Sequence, residues 1–148
     1  LLVSAALIAA LAACGSSVAD TDAPRPTAPA TATLSPFCAA AQDNADALRP
    51  LNGFAQRGVV PPDQLQPTVD AVRHSGTELL AAAPSDIRSD VQIVVDALDA
   101  QLDALVRAGG NISAVDRDPA ASATAASSGA VAASQRVSAY ITRTCRGR

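Results

Sequence analysis

His74 and Glu78 are the residues whose types and spacing come closest to a chemical motif. They lie four positions apart in a segment with helical periodicity, and this spacing places two metal ligands on one face of a helix. A metal site needs three or four ligands, and the chain has no second histidine and no free thiol pair to complete one. A serine nucleophile would need His74 as its base, and no strand-turn-helix elbow motif is present. We therefore predict an exposed polar pair, no metal, no other cofactor and no enzymatic activity.

Aspartates recur at helical spacing between positions 86 and 103. Asp96, Asp99 and Asp103 share one side of the expected helix, and Asp86 and Asp90 lie a turn or two earlier. Carboxylates at this spacing could hold calcium, but they lack the turn-forming loop that lets several oxygens converge on one ion. We expect them to form the solvated face of the helix.

Arginines are concentrated near the C-terminal end of the chain, at Arg136, Arg143, Arg146 and Arg148. Cations near the C-terminus of a helix interact favourably with the helix dipole, so we expect these side chains to stabilise the last helix. A weak attraction to anionic lipid or to an acidic partner is the alternative.

The overall composition argues against a nucleic-acid partner. The formal net charge is −3 and the arginines are otherwise scattered, so the chain has no basic footprint for nucleic acid. Its aromatic residues, Phe37, Phe54 and Tyr140, offer no stacking platform for bases. A chain of 148 residues has material for one domain.

The apolar run from Leu1 to Ala13 is typical of the hydrophobic core of a secretory signal peptide, and it is too short to span a bilayer as a helix. Its end, Leu11-Ala12-Ala13-Cys14, resembles the bacterial lipobox, in which an aliphatic residue and two small residues precede an obligatory cysteine. The resemblance implies that Cys14 is acylated and becomes the first residue after cleavage, which attaches the protein to a membrane. The alternative is an ordinary signal peptide in which Cys14 has no role.

The segments on either side of this motif fit the same interpretation. Lipoprotein signals begin with Met and a positively charged segment, whereas this chain begins with Leu1 and its first basic residue is Arg25, so we expect residues 1–13 to be a signal truncated at its N-terminus. Residues 14–34 carry the lipidated cysteine and are otherwise rich in Thr, Ala and Pro with little to bury, which predicts a disordered tether.

Two cysteines remain once Cys14 is assigned to the lipobox. An even pair in an exported, oxidising compartment predicts a disulfide between Cys38 and Cys145. The alternative is two free, buried thiols.

Start and end signals divide residues 35–148 into four predicted helices. Each start combines a capping residue or a proline with an apolar stripe, and each end carries a proline, a glycine pair or the last cysteine. The expected helices run from Ser35 to about Arg49, from Pro61 to Pro84, from Ser85 to Gly109 and from Asp118 to Cys145. The run Ser127-Ser128-Gly129 could split the fourth helix.

The apolar stripes identify the candidate core. In the first helix the stripe is Cys38, Ala41, Ala45 and Leu48. In the second it is Leu65, Val69, Val72, Gly76, Leu79 and Ala83. The third carries Ile87, Val91, Val94, Leu98, Leu102 and Leu105, widened by Val95 and Val106. Leu51 and Phe54, in the first connector, are expected to dock on this core.

Connectivity favours an all-α, up-down four-helix bundle. Short loops make neighbouring helices antiparallel, so the start of the first helix and the end of the last share one end of the molecule only if the helix count is even. Cys38 lies near that start and Cys145 near that end, so their bridge would close the bundle. Phe37 and Tyr140 should lie at the same end, beside the disulfide.

The arrangement as a whole is similar to that of small actinobacterial lipoproteins, which have a Phe-Cys at the first helix and a Tyr followed by Cys at the last. Here these are Phe37-Cys38 and Tyr140 to Cys145. The resemblance runs from Leu1 to Cys145, and it implies no particular activity.

The leading functional hypothesis is a lipid-anchored protein on the extracytoplasmic face of the cell membrane. Its non-enzymatic helical domain would bind another protein or an envelope component, and the membrane itself would be contacted through the lipid on Cys14. The first alternative is a carrier of a small apolar or lipid ligand held between helices. The second is an enzyme, which would need an acid and a nucleophile converging on His74 in a cleft.

Overall fold

The computed structural model describes residues 34–145, and this part of the chain is all-helical, as the sequence predicts. The six helices are α1 (Pro36–Ala55), α2 (Pro62–Ala82), α3 (Arg88–Arg107), α4 (Ile112–Val115), α5 (Pro119–Ala125) and α6 (Ser128–Cys145). The predicted signal at 1–13, Cys14 with nearly all of its tether, and Arg146 and Arg148 lie outside the described residues.

The first helix continues past the point where the sequence predicts its end. Pro50 lies inside α1, which runs on to Ala55. Proline removes one backbone N–H, whose partner would have been the carbonyl of Asp46, and Asp46 is exposed, so water can satisfy that carbonyl. The extra turn buries Phe54, which is 4% exposed. The predicted stripe is wrong at Ala45, which is exposed.

The second helix carries the predicted stripe despite an internal proline. Pro67 lies in α2, but the carbonyl that loses its partner belongs to Asp63 in the exposed first turn. Val69 and Val72 are completely buried, and Leu79 is 4% exposed. The apolar periodicity of this segment therefore identifies its buried face correctly.

The third helix begins later than predicted. Ser85 does not cap it; residues 85–87 form a turn, and α3 begins at Arg88. The carbonyl of Pro84 accepts the backbone N–H groups of both Ile87 and Arg88, so this turn leads directly into the helix. The stripe is confirmed at its buried members, but Val106 is 39% exposed and does not widen the buried face.

The fourth predicted helix is two helices, α5 and α6, and the single-turn helix α4 precedes them. Each begins where a side chain accepts backbone N–H groups: Asn111 for α4, Asp118 for α5 and Ser127 for α6. Such caps start new helices because they satisfy N–H groups that would otherwise lack partners. The described chain thus has six helices where the sequence predicts four.

A disulfide joins α1 to α6, as predicted. The Cα atoms of Cys38 and Cys145 are 5.4 Å apart, and the two residues are separated by 107 positions. Beside the bridge, the rings of Phe37 and Tyr140 meet edge to face with their centroids 5.6 Å apart, which confirms that they share this end. Phe37 belongs to a buried cluster with residues of α2, α3 and α6.

A second buried cluster lies near the other end of α1. Phe54 in this cluster is sixteen residues beyond Cys38, which corresponds to about 24 Å along the helix. The cluster contains Phe54, Val60 and Leu105. The loop after α1 pairs here with the loop after α3, through an isolated β-bridge between Val59 and Asn111. Gly110 has φ +86°, and a Cβ at this position would lie 2.5 Å from the carbonyl oxygen of Val60. The close approach of the two loops therefore requires glycine.

Candidate functional site

An apolar groove of about 260 Å³ opens between the C-terminal halves of α1 and α3 and reaches α4. Its apolar lining comes from all three helices, at Leu48, Leu51, Leu98, Leu102, Ile112 and Val115. Leu102 is 2% exposed, whereas Leu48, Leu51 and Leu98 are only partly buried. The leucines therefore present apolar surface that the fold does not fully cover.

Helix packing explains why the groove exists. Helix α1 packs mainly on α2, and α6 packs mainly on α3, while α1 and α6 meet to a smaller extent and are joined by the disulfide. The short helices α4 and α5 also pack on α3. The leucines on the far halves of α1 and α3 are consequently left with an open side.

Polar side chains stand at the edge of this groove: Asn52 from α1, Gln101 from α3 and Asp116 at the end of α4. A smaller depression of about 120 Å³ shares Gln101, Val115 and Asp116 with the groove and continues toward α5, where Ala121 and Ser122 line it. Asp116 therefore lies where the two depressions meet.

Three arginines form ion pairs between elements elsewhere on the surface. Arg136 of α6 donates two hydrogen bonds to Asp90 of α3, at 2.8 and 2.6 Å. Arg73 of α2 pairs with Asp103 and lies 3.7 Å from Asp99, both on α3. Arg107 pairs with Asp118 at 2.9 Å. Asp96, Asp99 and Asp103 are exposed or partly exposed and lie on the solvated face that the sequence predicts, whereas the side chain of Asp90 is only 13% exposed.

Two of these carboxylates have altered acidity. The hydrogen bonds from Arg136 hold the pKa of Asp90 below its usual value. The backbone N–H of Ala121 and the guanidinium of Arg107 lower the pKa of Asp118. Both groups stabilise connections between elements, and neither lines the groove.

The His74 side chain is 79% exposed and its Nε2 lies 4.0 Å from Oε1 of Glu78, which is 64% exposed. This is the exposed polar pair that the sequence predicts. Within residues 34–145, no group of three or more His, Cys, Asp or Glu residues is arranged to hold a metal ion. His74 lines neither of the two depressions described above.

Comparisons with known protein families, with curated proteins and with solved structures found no match for this chain. None of the helices described is long and apolar enough to cross a membrane. The groove itself was not predicted from the sequence. Leu48 and Leu51 are the sequence signal for the groove. They lie three residues apart, so they share one apolar face when α1 continues beyond Arg49.

Proposed function

We propose that the protein is a lipid-anchored lipoprotein of the extracytoplasmic face of the cell membrane. Its helical domain is a non-enzymatic binding module for another protein or an envelope component. The lipobox-like end of the apolar run, Leu11 to Cys14, supports the anchor. The disulfide between Cys38 and Cys145 supports an oxidising compartment outside the cytoplasm.

The proposed architecture of the module is an up-down bundle of its four long helices. Helix α1 packs on α2, α2 on α3 and α3 on α6, so each long helix contacts the next one in the chain. The disulfide then joins the start of the first long helix to the end of the last. These two features support an antiparallel order in which α4 and α5 belong to the connection between α3 and α6.

The groove between α1 and α3 is the observation that carries the binding proposal. Enclosed pockets for small molecules usually have volumes of about 300–1,000 Å³ and surround most of the ligand. This groove is smaller, at about 260 Å³, and three of its leucines are partly exposed. Its size and open side therefore favour the anchoring side chains of a larger partner over an enclosed small molecule.

A carrier of a small apolar or lipid ligand is the second candidate. The apolar lining of the same groove favours it, because an acyl chain or similar group would bury those leucines. The two candidates differ in what occupies the groove. A carrier is stabilised by free lipid, whereas a binding module is occupied by a macromolecule.

Photo-crosslinking in intact cells tests the binding proposal. A photo-crosslinking amino acid in place of Asn52, at the edge of the groove, should capture a discrete partner. The same residue in place of Asp43, which is exposed on the opposite side of α1 and outside the groove, is the matched control. Identical products from both positions would contradict the proposal, and a melting temperature raised by free lipid would favour the carrier.

Metabolic labelling tests the anchor separately. Radiolabelled palmitate should be incorporated into the full chain and not into a Cys14→Ala variant. Equal labelling of both chains, or none in either, would contradict the proposed lipid anchor. It would not bear on the proposed role of the groove.

A further inference from the structure

The groove has a definite charge character. Asp116 is the charged side chain among the groove residues, and the polar groups beside it, Asn52 and Gln101, are neutral amides. Asp116 is exposed, and no arginine in the described part of the chain forms an ion pair with it. A cation that enters the groove beside Asp116 would meet a carboxylate.

The two arginines nearest in sequence make contacts other than an ion pair with Asp116. Arg117 is exposed and donates its Nε hydrogen to the carbonyl of Ser113, at 2.9 Å. Arg107 pairs with Asp118, two residues beyond Asp116. The structure therefore neutralises the neighbouring aspartate from within and leaves Asp116, at the junction of the two depressions, as an acceptor for an external donor.

The apolar walls suit a helical segment. Leu48 and Leu51 lie three residues apart on α1, and Leu98 and Leu102 lie four apart on α3, so each wall is a row of side chains on one helix face. From Leu48 to Ala55 the groove follows α1 for about 10 Å, which is nearly two helical turns. A trough between two such rows accepts the side chains of a third amphipathic helix, anchored at three- and four-residue spacing.

Building on the proposed function, we infer that the groove recognises a helical peptide segment of a partner protein that carries apolar side chains on one face and a lysine or arginine placed to pair with Asp116. The apolar residues cover the leucines that the fold leaves partly exposed. The basic residue sets the register and direction of the segment. Segments with an acidic residue at that position are disfavoured by the same carboxylate.

Selection from a displayed library of random peptides of about 14 residues, roughly four helical turns, tests the inference against the full chain. Ala55→Arg fills the groove without removing a core residue, since Ala55 is exposed. Asp43→Arg places the same side chain at an exposed position on the opposite side of α1, outside the groove. We expect the selected peptides to bind the wild type and Asp43→Arg, to lose binding to Ala55→Arg, and to contain a basic residue among their apolar ones.

Asp116→Asn then tests the ion pair, with Asp43→Asn as the control at an exposed aspartate of α1. Binding of the basic peptides should weaken about two- to fivefold in Asp116→Asn, the size expected for an exposed ion pair, and stay unchanged in Asp43→Asn. Replacing the basic residue of the peptide by Glu should weaken binding to the wild type, and Asp116→Lys should restore it.

The possible outcomes separate this inference from the proposed function. Peptides that depend on the groove but have no basic residue, or that ignore Asp116→Asn, overturn the inference and leave the groove as a binding site. A selection that yields no groove-dependent peptide also overturns it. The proposed function fails instead if crosslinks from position 52 capture no discrete partner.

Discussion

Replacing Cys38 and Cys145 together by alanine should lower the free energy of unfolding by about 2–5 kcal/mol. The bridge closes a loop of 107 positions, and the loss of loop entropy in the unfolded chain corresponds to about 4.8 kcal/mol at about 25 °C. Measured effects of disulfides are often smaller than this value, which makes it an upper bound. A small domain has only about 5–15 kcal/mol of stability, so this one bond supplies a large share.

Urea unfolding followed by far-ultraviolet circular dichroism measures the effect. Both proteins should carry Cys14→Ser, so that the third thiol takes no part and the background chain is the matched control. The midpoint should fall, and the melting temperature should drop by roughly 8–20 °C. The m-value should rise, because an unfolded chain without the bridge is more expanded and exposes more surface.

The reasoning would be refuted by a stability loss below about 1 kcal/mol with an unchanged m-value, provided that mass spectrometry shows the bond to be present in the background chain. Such a result would mean that the bridge does not constrain the unfolded state. Loss of helical signal in the alanine variant under native conditions would instead mean that the bond is required for folding.

Three further predictions concern the helices and their contacts. Gly110→Ala should cost about 1–3 kcal/mol, because the residue has φ +86° and its Cβ would lie 2.5 Å from a backbone carbonyl. Gly53→Ala is its control: Gly53 is helical with no atom within 4 Å of the added Cβ, so alanine should stabilise by about 0.5–1 kcal/mol in the same urea assay. Val91→Ala should cost about 2–3 kcal/mol, because it removes two methyl groups from a completely buried site, and a cost below about 1 kcal/mol in thermal unfolding would contradict the described core. The lowered pKa of Asp90 adds stability above its usual pKa that is lost as pH falls through its folded value, so Asp90→Asn should lose less stability than the wild type between about pH 6 and pH 3. If both proteins lose the same stability on acidification, the contact with Arg136 does not make the stability of the domain depend on pH.

Apolar periodicity and cysteine pairing are sufficient to predict part of the fold. The buried faces of α2 and α3 follow from apolar side chains at helical spacing, and the even pair of cysteines predicts the bond that the structure contains. Phe37 and Tyr140 were placed at the same end by this reasoning, and they meet there. These features depend on strong local patterns or on covalent chemistry.

The sequence does not predict the elements whose bounds depend on competition between local helix signals and tertiary packing. Pro50 predicts the end of a helix, but burial of Phe54 extends α1 past it. Ser127 caps α6 and so divides the predicted last helix in two. The sequence indicates the Ser127-Ser128-Gly129 run as a point where this helix could split. The groove is lined in part by Leu51, Asn52 and Ala55 of the extended α1 and by Ile112 and Val115 of α4, and local sequence signals predict neither the extension nor α4. No single stretch of sequence contains that information.

The disulfide also governs how the domain would respond to mechanical load. Tension applied through the N-terminal segment would normally unzip α1 one turn at a time from its first residue. Cys38 is the third residue of this helix, so the covalent link stops such unzipping almost at once and passes the force to the end of α6. Tension on the N-terminal side would therefore leave the part of α1 that lines the groove intact.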